Sequence, residues 1–317
     1  MRYRRTVPAL FILVLFSNLT VRAQTPASAA NSFQHGARKF ERGDFDGAIE
    51  DYTRAIEISS RLDPANGAQN RPSSKVTALD SAEADRITVV DPLTAMAYAN
   101  RGMARYRNGD VDGAVSDLDQ AARINSGLAE IYLARGVARR AKGDQKGALA
   151  DFDRALLINP RLSEGYTDRG DLRLDMGDVD DAIVDLNRVR SLKPHFPETY
   201  YQLGYARIAK REFAEAIANF NQAIELNPSM ASAYQGRGTA WMSKGEMERA
   251  IADFNHALEL DPKIVGTYMN RGLALLLLGR DAEAQNDFER CLTLKPDVRA
   301  ELEWRIELAK EIRSRKP

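Results

Sequence analysis

Four carboxylates, Glu164, Asp168, Asp171 and Asp175, follow one another at intervals of four, three and four residues, which places them on one face of a helix. Carboxylates gathered in this way can act as the acid and base of glycoside hydrolysis, hold a divalent cation, or receive a ligand that carries lysine or arginine. Hydrolysis needs two carboxyl groups flanking a bond inside a cleft, and nothing around these four supplies a nucleophile, its base and an orienting group. His35, His195 and His256 stand far apart, the last two reading as surface residues. Cys291 is the single cysteine, which excludes an internal disulfide framework and multi-cysteine zinc or iron-sulfur sites. No catalytic residue, metal or cofactor is therefore expected. Tyr201, Tyr205 and Ile208 lie close behind the carboxylates. Their spacing suits either packing between helices or an anchor for an apolar side chain of a bound peptide.

Composition narrows the rest. The 317 residues are 44% hydrophobic and 28% charged, enough to build a substantial core. Forty-five basic residues balance 45 acidic ones, so there is no excess of the kind that condenses on phosphate backbones, and nucleic acid is not an expected partner. At the N-terminus a basic head (Met1 to Arg5) precedes an apolar run (Ala9 to Phe16), and Ala23 puts a small residue before Gln24. That is the order of a signal peptide over residues 1–23, with a short linker at 24–28. Ser17, Asn18 and Thr20 break the run before it reaches the ~20 apolar residues of a membrane-spanning helix. The expected location is periplasmic or secreted; the alternative is an inner-membrane anchor facing the periplasm, and a membrane enters only if this segment is retained. Its loss removes four arginines and leaves 41 basic against 45 acidic residues.

The elements that must position the carboxylates follow a period of 34. Stretches beginning at Ala29, Ala95, Ala129, Ser163, Pro197, Ala231 and Val265 are copies of one pattern, covering 29–62 and then, without a gap, 95–128, 129–162, 163–196, 197–230, 231–264 and 265–298. Position 8 is glycine and position 20 alanine in all seven; position 15 is glycine in six, and position 32 proline in five. Glycine inside a helix costs about 1 kcal/mol relative to alanine, so its recurrence at position 8 implies a close approach of two helices. Small residues at 20 and 27 supply the opposing thin face, Cys291 among them as a buried small residue. Glycine at position 15 marks a left-handed cap ending the first helix, and Asp44, Asp110, Asp144 and Asp178 behind it suit the start of the second. Arg211 occupies this cap in repeat five, where a locally different turn is expected.

Copies within one chain can be compared with one another. Position 7 is Arg101, Arg135, Arg169, Arg237 and Arg271 in five repeats, and position 23 is then Asp117, Asp151, Asp185, Asp253 and Asp287. Both change together in repeat five, to Leu203 and Asn219. This covariation predicts a structural ion pair between facing helices, with His35 and Asp51 as its counterpart in repeat one. Residues 63–94 interrupt the array. They read as an irregular insert or a degenerate repeat, with Lys75 to Val90 as a decayed second helix and Pro92 as its stop. Residues 299–317 read as an amphipathic capping helix and tail, with Leu302, Ile306 and Ala309 on one stripe and Trp304, Leu308 and Ile312 on an adjoining one.

The 34-residue spacing, with glycine at repeat position 8, alanine at position 20 and proline at position 32, resembles the tetratricopeptide repeat over about three quarters of the chain. The resemblance implies an all-α, right-handed α-solenoid of helix-turn-helix repeats with a C-terminal capping helix, and a concave groove lined by positions 2, 5, 6, 9, 12 and 13. A carboxylate-clamp set of lysine, asparagine and arginine, one family mode of docking, is missing from every repeat. Asn100 and Asn270 at position 6 resemble the asparagine ladder of other members, although Gln34, Ala134, Asp168, Gln202 and Gly236 interrupt it. Candidate partner-binding residues are accordingly Glu164, Asp168, Asp171, Asp175, Tyr201, Gln202, Tyr205, Asn100 and Asn270, with Arg140 or Arg207 partly neutralising the acidic strip. Met269, Leu273, Leu276 and Leu277 read as packing under the cap. The function implied is a non-enzymatic scaffold or adaptor that holds a peptide or helix with basic residues. A chaperone or assembly factor for cell-wall or polysaccharide-export machinery is the alternative, and self-association through the apolar end repeats a third reading.

Overall fold

The computed structural model describes residues 27–61 and 92–315. The signal-peptide assignment and the decayed helix at 75–90 lie outside the described residues. Within them the chain is all-α: seven helical hairpins, a short 3-10 turn at Pro296–Val298, and a final helix. The hairpins are α1 (Ala27–Glu41) with α2 (Phe45–Ser60), α3 (Pro92–Arg107) with α4 (Val111–Ile124), α5 (Ala129–Lys142) with α6 (Gln145–Ile158), and α7 (Ser163–Met176) with α8 (Val179–Leu192). They continue as α9 (Pro197–Ala209) with α10 (Phe213–Leu226), α11 (Ala231–Ser243) with α12 (Met247–Leu260), and α13 (Val265–Leu277) with α14 (Asp281–Leu294), closed by α15 (Arg299–Ser314). Pro92 opens α3, a position where its fixed φ and missing N–H are both tolerated.

Two compact units divide the chain, Met1–Asp168 and Arg169–Pro317, the division falling inside α7. In the first, α2 packs on α3 and α4 on α5; in the second, α8 packs on α9, α10 on α11 and α12 on α13. Within each unit a hairpin thus covers the apolar face of its neighbour, the logic of an α-solenoid. No described helix is long and apolar enough to cross a membrane.

The position-8 glycines admit a side chain more than a backbone. A Cβ at Gly136 would stand 2.5 Å from the Phe152 ring, at Gly204 2.6 Å from Phe220, and at Gly272 2.5 Å from Phe288. The side chain at repeat position 24 rests against the bare backbone, and the rings and leucines there are all buried (Tyr52, Leu118, Phe152, Leu186, Phe220, Phe254, Phe288). Direct backbone approach is secondary: the Ala114 and Ala250 carbonyls come within 3.1 Å of a Cβ on Gly102 and Gly238.

The turn at Arg211 corrects the expectation of a different local path. Arg211 has φ +62°, in the same left-handed region as the six glycines (φ +78° to +90°). Its N–H donates to the Ile208 carbonyl and that of Glu212 to Arg207, matching Gly143 to Arg140 and Asp144 to Arg139 in repeat three. The packing of the hairpin dictates the turn, and the arginine carries the strain. Replacing Arg211 by glycine is expected to stabilise the protein by about 1 kcal/mol, the left-handed penalty less the added freedom of the unfolded chain; a rise in the urea midpoint at unchanged slope would show it.

Helix starts divide by neighbour. Asp44, Asp110 and Asp144 accept hydrogen bonds from the backbone N–H of Gly47, Gly113 and Gly147, three residues on. A Cβ there would meet the carboxylate at 2.1–2.4 Å. Asp178 has Asp181 at that place and makes no such bond. The aspartate alone does not make the cap; the glycine after it does.

Candidate functional site

The site is framed by a polar ladder that the repeats build between their helices. In all five Arg-Asp repeats the guanidinium Nη2 lies 2.6–2.7 Å from the carboxylate, with Nε also donating to it. Arg101, Arg135, Arg237 and Arg271 reach backward through Nη1 to position 25 of the preceding repeat, at Thr53, Asp119, Asn221 and Asn255 respectively, at 2.7–3.0 Å. The same four lie over the rings of Tyr98, Tyr132, Tyr234 and Tyr268, 5.2–5.7 Å from their centroids. Tyr166, Tyr200 and Tyr268 donate their hydroxyls to the carbonyls of Pro160, Pro194 and Pro262, six residues earlier. One guanidinium therefore fixes a hairpin internally and registers it on the one before.

A second cation joins this ladder. Arg105, Arg139 and Arg173 at position 11 contact Asp117, Asp151 and Asp185 at 2.7–3.0 Å. In repeat one Lys39 takes this place, 2.9 Å from Asp51, while His35 is exposed. The expected His35–Asp51 pair is thus corrected: the cation comes from one helical turn further on. Hydrogen bonding to Asp51 raises the pKa of the Lys39 ammonium. The sequence signal was a basic residue at position 11 in repeats one to five, giving way to Trp241 and Leu275 in repeats six and seven. In repeat five, Leu203 is buried with Ile183, Leu186 and Ala206, and Asn219 bonds within its own helix.

The acidic strip is carried by α7. Glu164, Asp168 and Asp171 are half-buried and Asp175 is exposed. Glu164 accepts a hydrogen bond from Ser163 at 3.0 Å. Asp168 and Arg140 lie near Tyr106, whose phenol is pushed up chiefly by burial and is influenced by both charges. Arg207 does not serve the strip: it turns to Glu212, whose carboxyl it holds below the usual range with help from Lys210. Asp171 Oδ1 instead accepts from Gln202 Nε2 at 2.7 Å, a bond from position 6 of repeat five to position 9 of repeat four. Asn270 makes the equivalent contact to Thr239 at 3.3 Å. Gln202 therefore continues the ladder of side-chain amides that it was expected to interrupt, its longer arm spanning the same gap.

The aromatic residues divide between core and surface. Tyr201 is buried, 5.0 Å centroid to centroid from Tyr205, and both rings meet Phe220 edge-on at 6.2 and 5.4 Å. Tyr205 stays half-buried. Asn100 and Asn270 are buried; Asn100 Nδ2 and Asn270 Oδ1 have no hydrogen-bond partner among the described residues. The structure thus brings Asp171, Gln202, Tyr201 and Tyr205 together and leaves Asn100 and Asn270 in other repeats. Met269, Leu273 and Leu276 join the core with Leu302 and Ala309 of α15, and Arg305 donates to Met269 Sδ. Arg313 caps the end of α13 by donating to the Leu276 carbonyl at 2.9 Å. Burial pushes the Cys291 thiol up, away from nucleophilic use. His195 is exposed, and half-exposed His256 lies 4.3 Å from the Tyr234 ring. No group of residues that could hold a metal ion occurs among the described residues.

Family comparison agrees with this architecture. A tetratricopeptide-repeat profile matches residues 68–129 and 201–263, and a second of the same description matches 265–298. No curated protein matches the sequence significantly. Among solved structures, a crystal structure of MamA is 31% identical, with 51% of this chain and 95% of that chain covered and a TM-score of 0.47. MamA from Desulfovibrio magneticus RS-1, residue 41 to the end, is 24% identical over 54% of this chain and 96% of its own, at 0.51. A tetratricopeptide repeat protein from Parabacteroides merdae ATCC 43184 is 19% identical over 89% and 99%, at 0.63. The chain belongs to the tetratricopeptide-repeat family. It is an all-α repeat solenoid of a class that serves as scaffolding for interactions with other proteins or peptides.

Proposed function

We propose that this protein is an exported adaptor, acting in the periplasm, that holds an extended or helical segment of a partner protein against the α7 and α9 faces of its second unit. The observation that carries the reading is the linked set of Asp171, Gln202, Tyr201 and Tyr205. A carboxylate held by the amide of the next repeat stands beside an edge-stacked aromatic pair with one ring half-open. Asp175, exposed one turn further along α7, adds a second negative charge. A lysine or arginine of the partner would meet these carboxylates while an apolar side chain rests on Tyr205. The signal-like order of residues 1–23 supports export.

The test is co-purification from periplasmic extract, followed by titration of each recovered segment with wild-type protein and with Asp171→Lys/Asp175→Lys. Charge reversal is expected to weaken binding by at least about tenfold and to abolish its salt dependence. Unchanged affinity and salt response would discard the acidic face as the site. Folding of the variant is checked by its circular dichroism, which needs no partner.

A further inference from the structure

The last helix, α15, buries Leu302 and Ala309 against α13 and leaves a second apolar stripe open: Trp304 is 64% exposed, Leu308 41% and Ile312 47%. These residues recur every fourth position, so they form one continuous ridge beside the buried stripe. The open face of α15 thus carries a tryptophan and two aliphatic residues. Unlike scattered surface residues, a contiguous row of this kind marks a contact.

The charges around the ridge identify the occupant. Glu301 and Arg305 flank its N-terminal end and are 3.8 Å apart; Glu311 and Arg315 flank its C-terminal end and are likewise paired. We propose that α15 is a self-association surface on which a second copy of this chain docks antiparallel, about a two-fold axis through Leu308. In that arrangement residues equally far from Leu308 in opposite directions meet. Trp304 faces the partner's Ile312 and Leu308 the partner's Leu308. Glu301 faces the partner's Arg315, and Arg305 the partner's Glu311. Each of these four charges meets its opposite, and both ends of the ridge close with a neutral four-charge cluster. A parallel pairing would set Glu301 against the partner's Glu301 and Arg315 against the partner's Arg315, so like-charge repulsion selects the antiparallel form. An interface between copies related by a two-fold axis must be self-complementary, and this ridge is. One helix per subunit buries less than the ~1,200 Å² of a standard stable complex, so the dimer is weak, with dissociation on the order of micromolar or above.

Sedimentation velocity of the purified protein from about 1 to about 500 µM tests this directly. The weight-average mass is expected to climb toward twice the chain mass with concentration. Leu308→Glu, which sets two carboxylates on the axis, is expected to stay monomeric across the range; Leu308 is outside the buried stripe, and circular dichroism checks the fold. Glu301→Arg alone is expected to weaken association by at least about tenfold, and Glu301→Arg with Arg315→Glu to restore it, because the swapped charges again face opposites. Leu308→Cys is expected to give a disulfide-linked dimer on mild oxidation, independently of the other variants. A flat mass for the wild type, association unchanged in folded Leu308→Glu, or no recovery in the charge-swapped protein overturns the proposal. Binding of a different protein to the ridge would show as retained capture without charge-swap recovery, which also overturns it.

Discussion

Replacing Phe220 with alanine is expected to remove about 4 kcal/mol of stability, within the range for deleting a fully buried aromatic ring. The ring is held on two sides by bare backbone. A Cβ on Gly204 would lie 2.6 Å from it and one on Gly236 2.4 Å, so the phenyl group is the packing between repeats five and six as well as within five. Tyr201 and Tyr205 both rest on its edge, and their positions depend on it. Partner binding should therefore fall with stability, whereas charge reversal at Asp171 and Asp175 should lower binding alone. A double-mutant cycle sharpens the point. Gly204→Ala in the wild type overpacks the same contact and is expected to cost about 1 to 3 kcal/mol, while in the Phe220→Ala background its methyl occupies vacated space and costs almost nothing. Urea denaturation of the four proteins measures both numbers; additive losses would show that the ring and the glycine do not share one space.

The second large effect is expected at Asp151. Its buried carboxylate accepts from Arg135 through two nitrogens and from Arg139 at 2.8 Å, and Arg135 continues to Asp119 in the preceding repeat. Asp151→Ala leaves two guanidinium groups with only the Asp119 carboxylate to share, at a cost of about 3 kcal/mol. Repeat five shows what a tolerated alternative looks like, since Leu203 and Asn219 replace the pair there with burial of the leucine. Arg135→Leu combined with Asp151→Asn is accordingly expected to cost only about 1 kcal/mol, less than the aspartate change alone. Thermal or urea unfolding of single and double variants decides it; a double variant worse than Asp151→Ala would mean that the pair contributes more than compensation of its own burial.

The repeat itself is legible because seven copies in one chain act as their own alignment. The joint change of Leu203 and Asn219 points to the ion pair without any coordinates, and the left-handed cap follows from six glycines. What escapes reading is three-dimensional adjacency that no single column displays. Positions 7 and 11 lie one turn apart on the same face, so Lys39, not His35, reaches Asp51. Gln202 breaks a run of asparagines on paper, yet one extra methylene lets it span the gap to Asp171. Arg211 violates the glycine rule in sequence while obeying it in conformation, since packing on both sides outweighs a local penalty of about 1 to 2 kcal/mol. Of the candidate site, the acidic strip and the aromatic pair can be read from spacing. The division between buried Tyr201 and half-open Tyr205 cannot, because it depends on Phe220 from the second helix of the hairpin.

Repeat five gathers several departures at once. It lacks the arginine that clasps backward onto its predecessor, carries Asn219 where five other repeats have the paired aspartate, and is strained in its turn at Arg211. In a chain of nearest-neighbour couplings the weakest link sets where the whole gives way. Within the second unit a pull would therefore part α8 from α9, which the surface pair Lys210–Asp180 joins, before the joints that Arg237 and Arg271 clasp, and the break would run beside Asp171 and Gln202. A partner segment lying across α7 and α9 would then act as a rivet, making the bound protein mechanically tougher than the empty one.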